Sequence, residues 1–460
     1  VPAAGHHVGV TGPSTLDADP TDEVVDVLQH LIRAACVNDG RAESGQEHRA
    51  VDVLAQVLDG PGLEMETFEP TPGRTSLVAR IEGTDPEAPT LLLMGHTDVV
   101  PVTSDGWRHD PFGGELHDGE VWGRGAVDML NLTSSMAVLT RRLADGGFRP
   151  RGTLVYLAVA DEEAGSAHGA EWLVHHARDA VRADYVITES GGLVSHRPSG
   201  PKVTVHVGEK GINWVRLRVR GTPGHGSRPL RTDNALVKAA EIVQRLQAYR
   251  PRTEIGDIWR RWVEGMDFPA EHATVLLDPE RLWDFTQETP NLAMARQAHA
   301  CTHTTFSPNV IHGGVKTNVI PDEVVLEVDI RTLPGQTAAD VDALLADALG
   351  PLATEVTVEA IQTNPATASP IDTPLWDSIG RVVDRLVPGA MLVPGLIVGG
   401  TDARFFREFG AISYGFGLFS DRLTADRYAA MFHGHDERID VDSLRLTTQL
   451  WDLLAHDLLT

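Results

Sequence analysis

Three apolar runs in this sequence stop at acids or histidine. "LLLMG" leads into His96-Thr97-Asp98, "LVYLAVA" into Asp161-Glu162-Glu163, and "YVIT" into Glu189, while "WGRGAVD" carries Asp128 to a glycine-flanked turn before a helical pattern. In an open α/β sheet, ligands bind beyond the carboxyl ends of the strands. Several carboxylates gathered at one such edge repel and raise one another's pKa unless a cation lies among them. A metal site is therefore the economical chemistry. Residues two apart on a strand point to the same side, so the His96 imidazole can bind metal while the Asp98 carboxylate holds its other ring N–H. Adjacent Glu162 and Glu163 cannot both face one way in an extended strand; one is expected to bind metal and the other to point at the reactive water. A single His-x-Asp or Asp-Glu-Glu is more often a helix start or a solvated loop. The conjunction of all three points to chemistry.

The elements that must position these groups read as alternating helix and strand over the first 200 residues. "DEVVDVLQHLIRAA" sets Val24, Leu28, Leu31 and Ala35 at helical spacing, and "AVDVLAQVLDGPG" is a second amphipathic helix closed by Gly-Pro-Gly. Strands are expected at 90–95, over "TLVYLAVA" and at 184–188. Between the first two, a helix carries the stripe Met129, Leu132, Met136, Leu139 and Leu143; another starts near Ser166. Continuous apolar strands between helices imply an α/β fold with a mostly parallel sheet covered by helices on both faces.

From about residue 207 the texture changes. "WVRLRVRG" and "EVVLEVDIRT" alternate apolar and charged residues, as strands with one solvated face do, with helices between them at 234–248 and 337–349. The expected organisation is a first catalytic segment over 1–206, an inserted α+β unit over 207–363, and a second catalytic segment over 364–460. Residues 251–298, with Trp259, Trp262 and Trp283, lack a clear period and read as an embellishment of the inserted unit.

Composition excludes several classes. The 460 residues hold 39 basic and 65 acidic side chains, a formal net charge of -26 that disfavours nucleic acid and anionic membrane as partners. Two cysteines, Cys36 and Cys301, outside any CxxC pattern, suggest neither a disulfide framework nor a thiolate zinc site. No apolar run reaches the roughly 18 to 20 residues of a membrane span. The first 23 residues show neither the basic nor the apolar region of a secretory signal, so a cytoplasmic location is expected.

The succession "GHTDVVP" (95–101), "GRGAVDM" (123–129), "DEEAGS" (161–166) and "TES" (188–190) resembles the M20 family of co-catalytic zinc hydrolases, which includes aminoacylases, deacetylases, desuccinylases and carboxypeptidases. The likeness runs from about residue 22 and is most specific between 91 and 190. It implies His96 on one metal, Asp128 bridging two, Glu163 completing one site and Glu189 the other. It makes Glu162 the general base and Asp98 the residue that orients His96, and it implies a cis peptide after Asp128. "FHGHDERI" supplies the last ligand as His433, with Glu437 four residues on; His435 fits that spacing less well. The inserted unit resembles the family's lid or dimerisation domain. There "GTPGHGSRP" offers His225 for the oxyanion, and "KTNVIPD" and "DIRTLPG" offer Asn318 and Arg331 for a substrate carboxylate. "VGGTDARFF" contributes Gly399 and Gly400 beside the substrate.

The resemblance implies two divalent ions, zinc first, with cobalt or manganese also compatible with carboxylate-rich ligands. The expected reaction is hydrolysis of N-acyl-L-amino acids by a homodimer joined through the inserted unit. The alternatives are a carboxypeptidase or dipeptidase on short peptides and, less expected because every ligand position is filled, a catalytically silent binding protein.

Overall fold

The computed structural model describes residues 19–103 and 105–460. Of the first 23 residues, read above for the regions of a secretory signal, those up to position 18 lie outside the described residues.

The apolar runs form the centre of a large sheet. Strand Thr90–His96 lies between Thr153–Val159 and Tyr185–Thr188, parallel to both, and Ile412–Gly415 adds a fourth parallel strand beyond Tyr185–Thr188. Alternation along these strands divides two cores. Leu91, Leu93, Leu154, Tyr156 and Ala158 face helices Thr21–Ala34, His48–Leu58, Leu130–Asp145 and Val441–Leu459, whereas Leu92, Met94, Val155, Leu157 and Val159 face Ala170–His176 and Ala403–Glu408. Each leucine that is fully removed from water here stabilises the fold by about 2 kcal/mol. Two covered faces explain why these strands read as unbroken apolar runs.

Antiparallel strands flank that centre on both sides. The hairpin Glu64–Thr71 and Arg74–Ile81 joins Thr153–Val159 antiparallel, and Gly200–Glu209 joins Ile412–Gly415 antiparallel. Helix Leu130–Asp145 departs from a simple stripe. Asn131, Thr133, Ser134, Ser135 and Thr140 are buried along with its apolar residues, because the helix runs between the sheet and the helices around it. Its hydroxyls are satisfied locally, as where Ser135 donates to the Leu132 carbonyl.

A second sheet, in the order Thr305–Gly313, Glu323–Thr332, Gly211–Arg220, Val356–Asn364, is antiparallel throughout. Val215, Leu217, Val219, Val324, Leu326 and Val328 pack under helices Ala235–Ala248 and Ala338–Leu349. The opposite face carries ion pairs, Arg216 with Glu327 and Arg218 with Glu323 and Glu359. The expected boundary at 206/207 falls inside strand Gly200–Glu209 of the large sheet; the chain passes to the second sheet only at Gly211.

The segment 251–298 also differs from expectation. It forms four helices, Asp257–Gly265, Ala270–Leu276, Leu282–Glu288 and Leu292–Thr302. Trp259, Val263, Leu276, Leu282 and Ala298 form a core with Leu396 of strand Met391–Ile397, which pairs parallel with Gly200–Glu209. The segment is thus a helical layer on the large sheet and not an ornament of the small one. A Cβ on Gly265 would lie 3.0 Å from Val393, so glycine permits this close helix-to-strand approach. Cys36 and Cys301 are both buried and free. Among the described residues no helix is long and apolar enough to cross a membrane.

Candidate metal centre

The three acid-bearing strand ends meet on one edge of the large sheet. His96 closes its strand between Val159 and Glu189, and the helix start after Asp128 comes up against it, where Thr133 Oγ1 donates to the His96 carbonyl at 2.9 Å. A side chain at Gly95 would strike that threonine, its Cβ only 2.3 Å from Oγ1. Glycine before the histidine is what lets helix and strand touch there.

Two groups of ligand atoms share Asp128. His96, Asp128 and Glu189 form one; Asp128, Glu163 and His433 form the other, and within each the donor atoms lie within 4.8 Å of one another. His96 Nε2 is 3.2 Å from Asp128 Oδ1, and His433 Nε2 is 2.9 Å from Asp128 Oδ2 and 3.4 Å from Glu163 Oε2. The two oxygens of one carboxylate thus face the two groups. The Asp128–Met129 peptide is cis. His433 has φ of 56°. His435 instead packs edge-on to Trp107 and belongs to neither group.

Electrostatics show what this arrangement lacks. Burial raises the carboxyl groups of Glu162 and Glu189 well above the ordinary range, and each is raised further by neighbouring acids. Burial and the charge of Asp128 push Glu163 up to about 7. Burial opposes charging of His433 and His96, but hydrogen bonds to Asp128 outweigh it, lifting His433 to about 10 and His96 well above its usual value. Asp128 is held well below the usual carboxylate range: burial works against it, and the hydrogen bonds from His433 and His96 prevail. Glu163 Oε1 is buried with no hydrogen-bond partner. An orphaned carboxylate oxygen among crowded acids and two imidazoles fits a pair of divalent cations. The donor set, carboxylate oxygens with one imidazole per group, suits zinc, cobalt or manganese.

Two further carboxylates hold the backbone that presents these ligands. Asp98 accepts hydrogen bonds from the amides of Glu162 (3.2 Å) and Glu163 (3.0 Å) and from Asn38 Nδ2 (2.9 Å). Glu437 accepts from the amides of Val127 (2.7 Å) and Asp128 (3.0 Å), and Arg124 Nη1 donates to its other oxygen at 2.7 Å. The expected Asp98 carboxylate bond to His96 is therefore corrected. The nearer partner of His96 Nδ1 is the Asp98 carbonyl oxygen at 2.9 Å, the carboxylate standing at 3.7 Å because it is committed to the 162–163 amides. The extended geometry expected at Glu162 and Glu163 is also absent. After Asp161, whose φ is 68°, they lie on the 3-10 turn Glu162–Ala164, which separates their side chains. Asp161 itself accepts from Asn38 and from the His168 amide, and Arg74 stands 3.4 Å away.

Other groups escaped the sequence reading. Asp402 accepts from Ser166, and its charge raises Glu162; burial lifts Asp402 itself to about 6. Arg404, buried beside them, donates to the Thr401 carbonyl at 2.6 Å. Both lie in "GGTDARFF", where only the glycines drew notice. Of those, Gly400 packs closely on Ile212, which a Cβ would meet at 2.9 Å, while a Cβ on Gly399 would meet only Ile397, at 3.8 Å.

The inserted unit stands differently. His225 is exposed on strand Gly224–His225, its Nδ1 accepting from Ser227, and the Asn318 carbonyl accepts from the next amide, Gly226, at 2.9 Å. Arg331 is already engaged side-on by Asp329, at 2.8 and 3.2 Å. Its guanidinium fork therefore already has a carboxylate partner within this chain.

The description "Peptidase family M20/M25/M40" matches residues 92–457. The chain is 27% identical over 416 residues to an N-fatty-acyl-amino acid synthase/hydrolase of Xenopus tropicalis, covering 88% of this chain and 78% of that one. It is 28% identical over 383 residues to aminoacylase-1 of Homo sapiens, covering 82% of each. In fold it is similar to an M20 family metallo-carboxypeptidase from Sulfolobus solfataricus, with a TM-score of 0.72, 19% identity and coverage of 95% of this chain and 99% of that one.

Proposed function

The chain belongs to peptidase family M20/M25/M40 and is a metal-dependent amidohydrolase or peptidase; from that premise we propose that it hydrolyses the amide bond of N-acyl-L-amino acids. The observation that carries the hydrolytic chemistry is the pair of ligand groups sharing Asp128 with the buried carboxyl of Glu162 beside them. His96, Asp128 and Glu189 would hold one ion and Asp128, Glu163 and His433 the other, with zinc as the first choice and cobalt or manganese accepted. When bound, such a pair polarises the scissile carbonyl and lowers the pKa of a water toward neutrality.

Glu162 then takes the proton of the attacking water and delivers it to the leaving nitrogen, which departs poorly as an anion. Burial, which raises this carboxyl, suits it to hold the proton between the two steps. The Asp98 carboxylate keeps Glu162 aimed through its backbone amide. His225 serves the oxyanion from a second copy of the chain, a role its exposure allows. Leu230 and Val315, 85% and 92% exposed on the inserted unit, favour a homodimer through that region. Asn318 and Arg331 bind the substrate carboxylate, the guanidinium through its planar fork, with Gly399 and Gly400 beside the substrate.

The substrate class rests on the names of the two sequence relatives, both of which concern acylated amino acids, whereas the carboxypeptidase likeness is one of fold. Hydrolysis of N-acetyl-L-methionine, a long-chain acyl-amino acid, a blocked dipeptide and an amino-acid anilide, with and without added Zn2+ or Co2+, tests it. Metal-dependent turnover of the acyl-amino acids is expected; preference for the dipeptide would replace this reading with a carboxypeptidase or dipeptidase. Glu162→Gln should retain the ions and lose about 10²- to 10⁴-fold in turnover. Near-normal activity in that variant would remove Glu162 from its role.

A further inference from the structure

Away from the centre described above, a third group of ligand atoms gathers on the short sheet Glu115–His117, Glu120–Trp122 and Arg438–Asp440. Glu115 and His117, two apart on one strand, point to the same face, and His109 comes over them from the preceding turn. His117 Nε2 is 2.6 Å and His109 Nδ1 3.6 Å from the same oxygen, Glu115 Oε2. The two imidazoles stack with centroids 4.0 Å apart and planes at 20°, and His109 is also edge-on to Trp122 at 4.7 Å.

An ion pair alone satisfies this arrangement poorly. His117 Nε2 is within hydrogen-bond distance of Glu115, whereas His109 Nδ1, at 3.6 Å, is aimed at the same oxygen with no hydrogen bond to hold it there. A cation accepted by two nitrogen lone pairs and one carboxylate oxygen reconciles all three, and two nitrogens with one oxygen is a set that borderline transition ions favour. Nearby positive charge does not forbid it. Arg108 and Arg438 lie over Trp122 at 4.7 and 4.4 Å, but Arg108 is paired with Asp436 at 2.6 Å and Arg438 with Glu120 at 3.1 Å.

The same segment touches the loop that carries His433. The Arg108 amide and guanidinium both donate to Asp436, Trp107 packs on His435, and a Cβ on Gly106 would stand 3.0 Å from the His435 ring. We infer that His109, Glu115 and His117 bind a divalent transition-metal ion of the Zn2+, Co2+ or Ni2+ class, separate from the pair at Asp128, and that this ion braces the turn at His109 against strand Glu115–His117.

Zn2+ binding to the full chain is measured by calorimetry and by metal analysis, alongside His117→Ala and Glu115→Gln, two substitutions at partly or fully exposed positions. Each variant is expected to take up one fewer Zn2+ per chain than the unsubstituted protein, whatever number the main centre holds. Zn2+ added beyond saturation of the main centre is expected to raise the Tm of the unsubstituted protein and leave both variants unmoved. Equal uptake by all three, or a difference seen only at millimolar Zn2+, overturns the site. A lost equivalent with no difference in Tm response overturns the bracing.

Discussion

The two ligand groups that share Asp128 are built on different foundations. His96 and Glu189 stand at the ends of neighbouring parallel strands, and with Asp128 all three are buried. Glu163 lies on a 3-10 turn and His433 on a loop after helix Ala425–Met431, where 44% of its side chain is exposed. Strand ends inherit rigidity from the sheet's hydrogen-bond ladder; turns do not, and must be fixed by side chains. Here the fixing is done by carboxylates. Asp98 grips the amides that carry Glu162 and Glu163, and Glu437 grips those of Val127 and Asp128. Apart from the shared Asp128, which Glu437 holds for both, the inner group is a product of the fold, while the outer one depends on a few buried polar bonds.

The comparison breaks most completely at the residue common to both sides. Asp128→Ala is expected to lose both bound ions and reduce turnover to background, as read by metal analysis and hydrolysis; retention of two ions would mean the groups do not share a ligand. Substituting the unshared histidines separates the sides. His433→Ala should keep one ion, in the inner group, whereas His96→Ala should disturb the buried end of the strand and weaken both. Equal stoichiometry in the two variants would erase the distinction between inner and outer.

How much of this was legible in the sequence follows the same division. The strand ends bearing His96, Asp161 and Glu189 stood out because a strand covered on both faces is an unbroken apolar run, and the charge after it is conspicuous. The hairpin 64–81 did not, since its outer strand is "EMETFEPT", largely exposed. The helices of 257–302 were missed because three of them are only 7 to 9 residues long and the fourth, Leu292–Thr302, buries small residues, Ala295, Ala298, Cys301 and Thr302, in place of an apolar stripe. The turn that separates Glu162 from Glu163 depends on a left-handed backbone at Asp161, which a non-glycine residue does not announce. Asp402 and Glu437 act through partners hundreds of residues away, Ser166 and the 127–128 amides, and no local pattern encodes such pairings.

A smaller effect is expected at the clamps. Glu437→Gln keeps the shape and one acceptor oxygen but loses the charge that faces Arg124 and the two amides. Residues that orient metal ligands in this way typically matter by about 10- to 100-fold in metal affinity. Competition with a chelator should show a loss of that size for Glu437→Gln. Asp98→Asn should act more on turnover than on affinity, because one of its two amides carries Glu162. The reverse pattern would mean that the clamps are exchangeable supports with no separate assignments.

The mildest test uses pH and reads the outer group alone. Without an ion, His433 keeps its proton up to about pH 10, burial notwithstanding, because Asp128 and Glu163 hold it; Glu163, raised chiefly by burial, keeps its own up to about 7. An ion binds only the deprotonated nitrogen and oxygen. Between pH 7 and 10 binding must therefore expel one proton from this pair, and below 7 it must expel two. Outer-ion affinity should rise with pH, by about tenfold per unit between 7 and 10 and more steeply below 7, since one proton displaced corresponds to about 1.4 kcal/mol per pH unit. Calorimetry in buffers of different ionisation enthalpy counts those protons directly. The His433→Ala variant, in which the outer ion is lost, should release fewer protons at pH 8 than the unsubstituted protein. An unchanged proton count would show that the proton displaced by the outer ion is not held by His433.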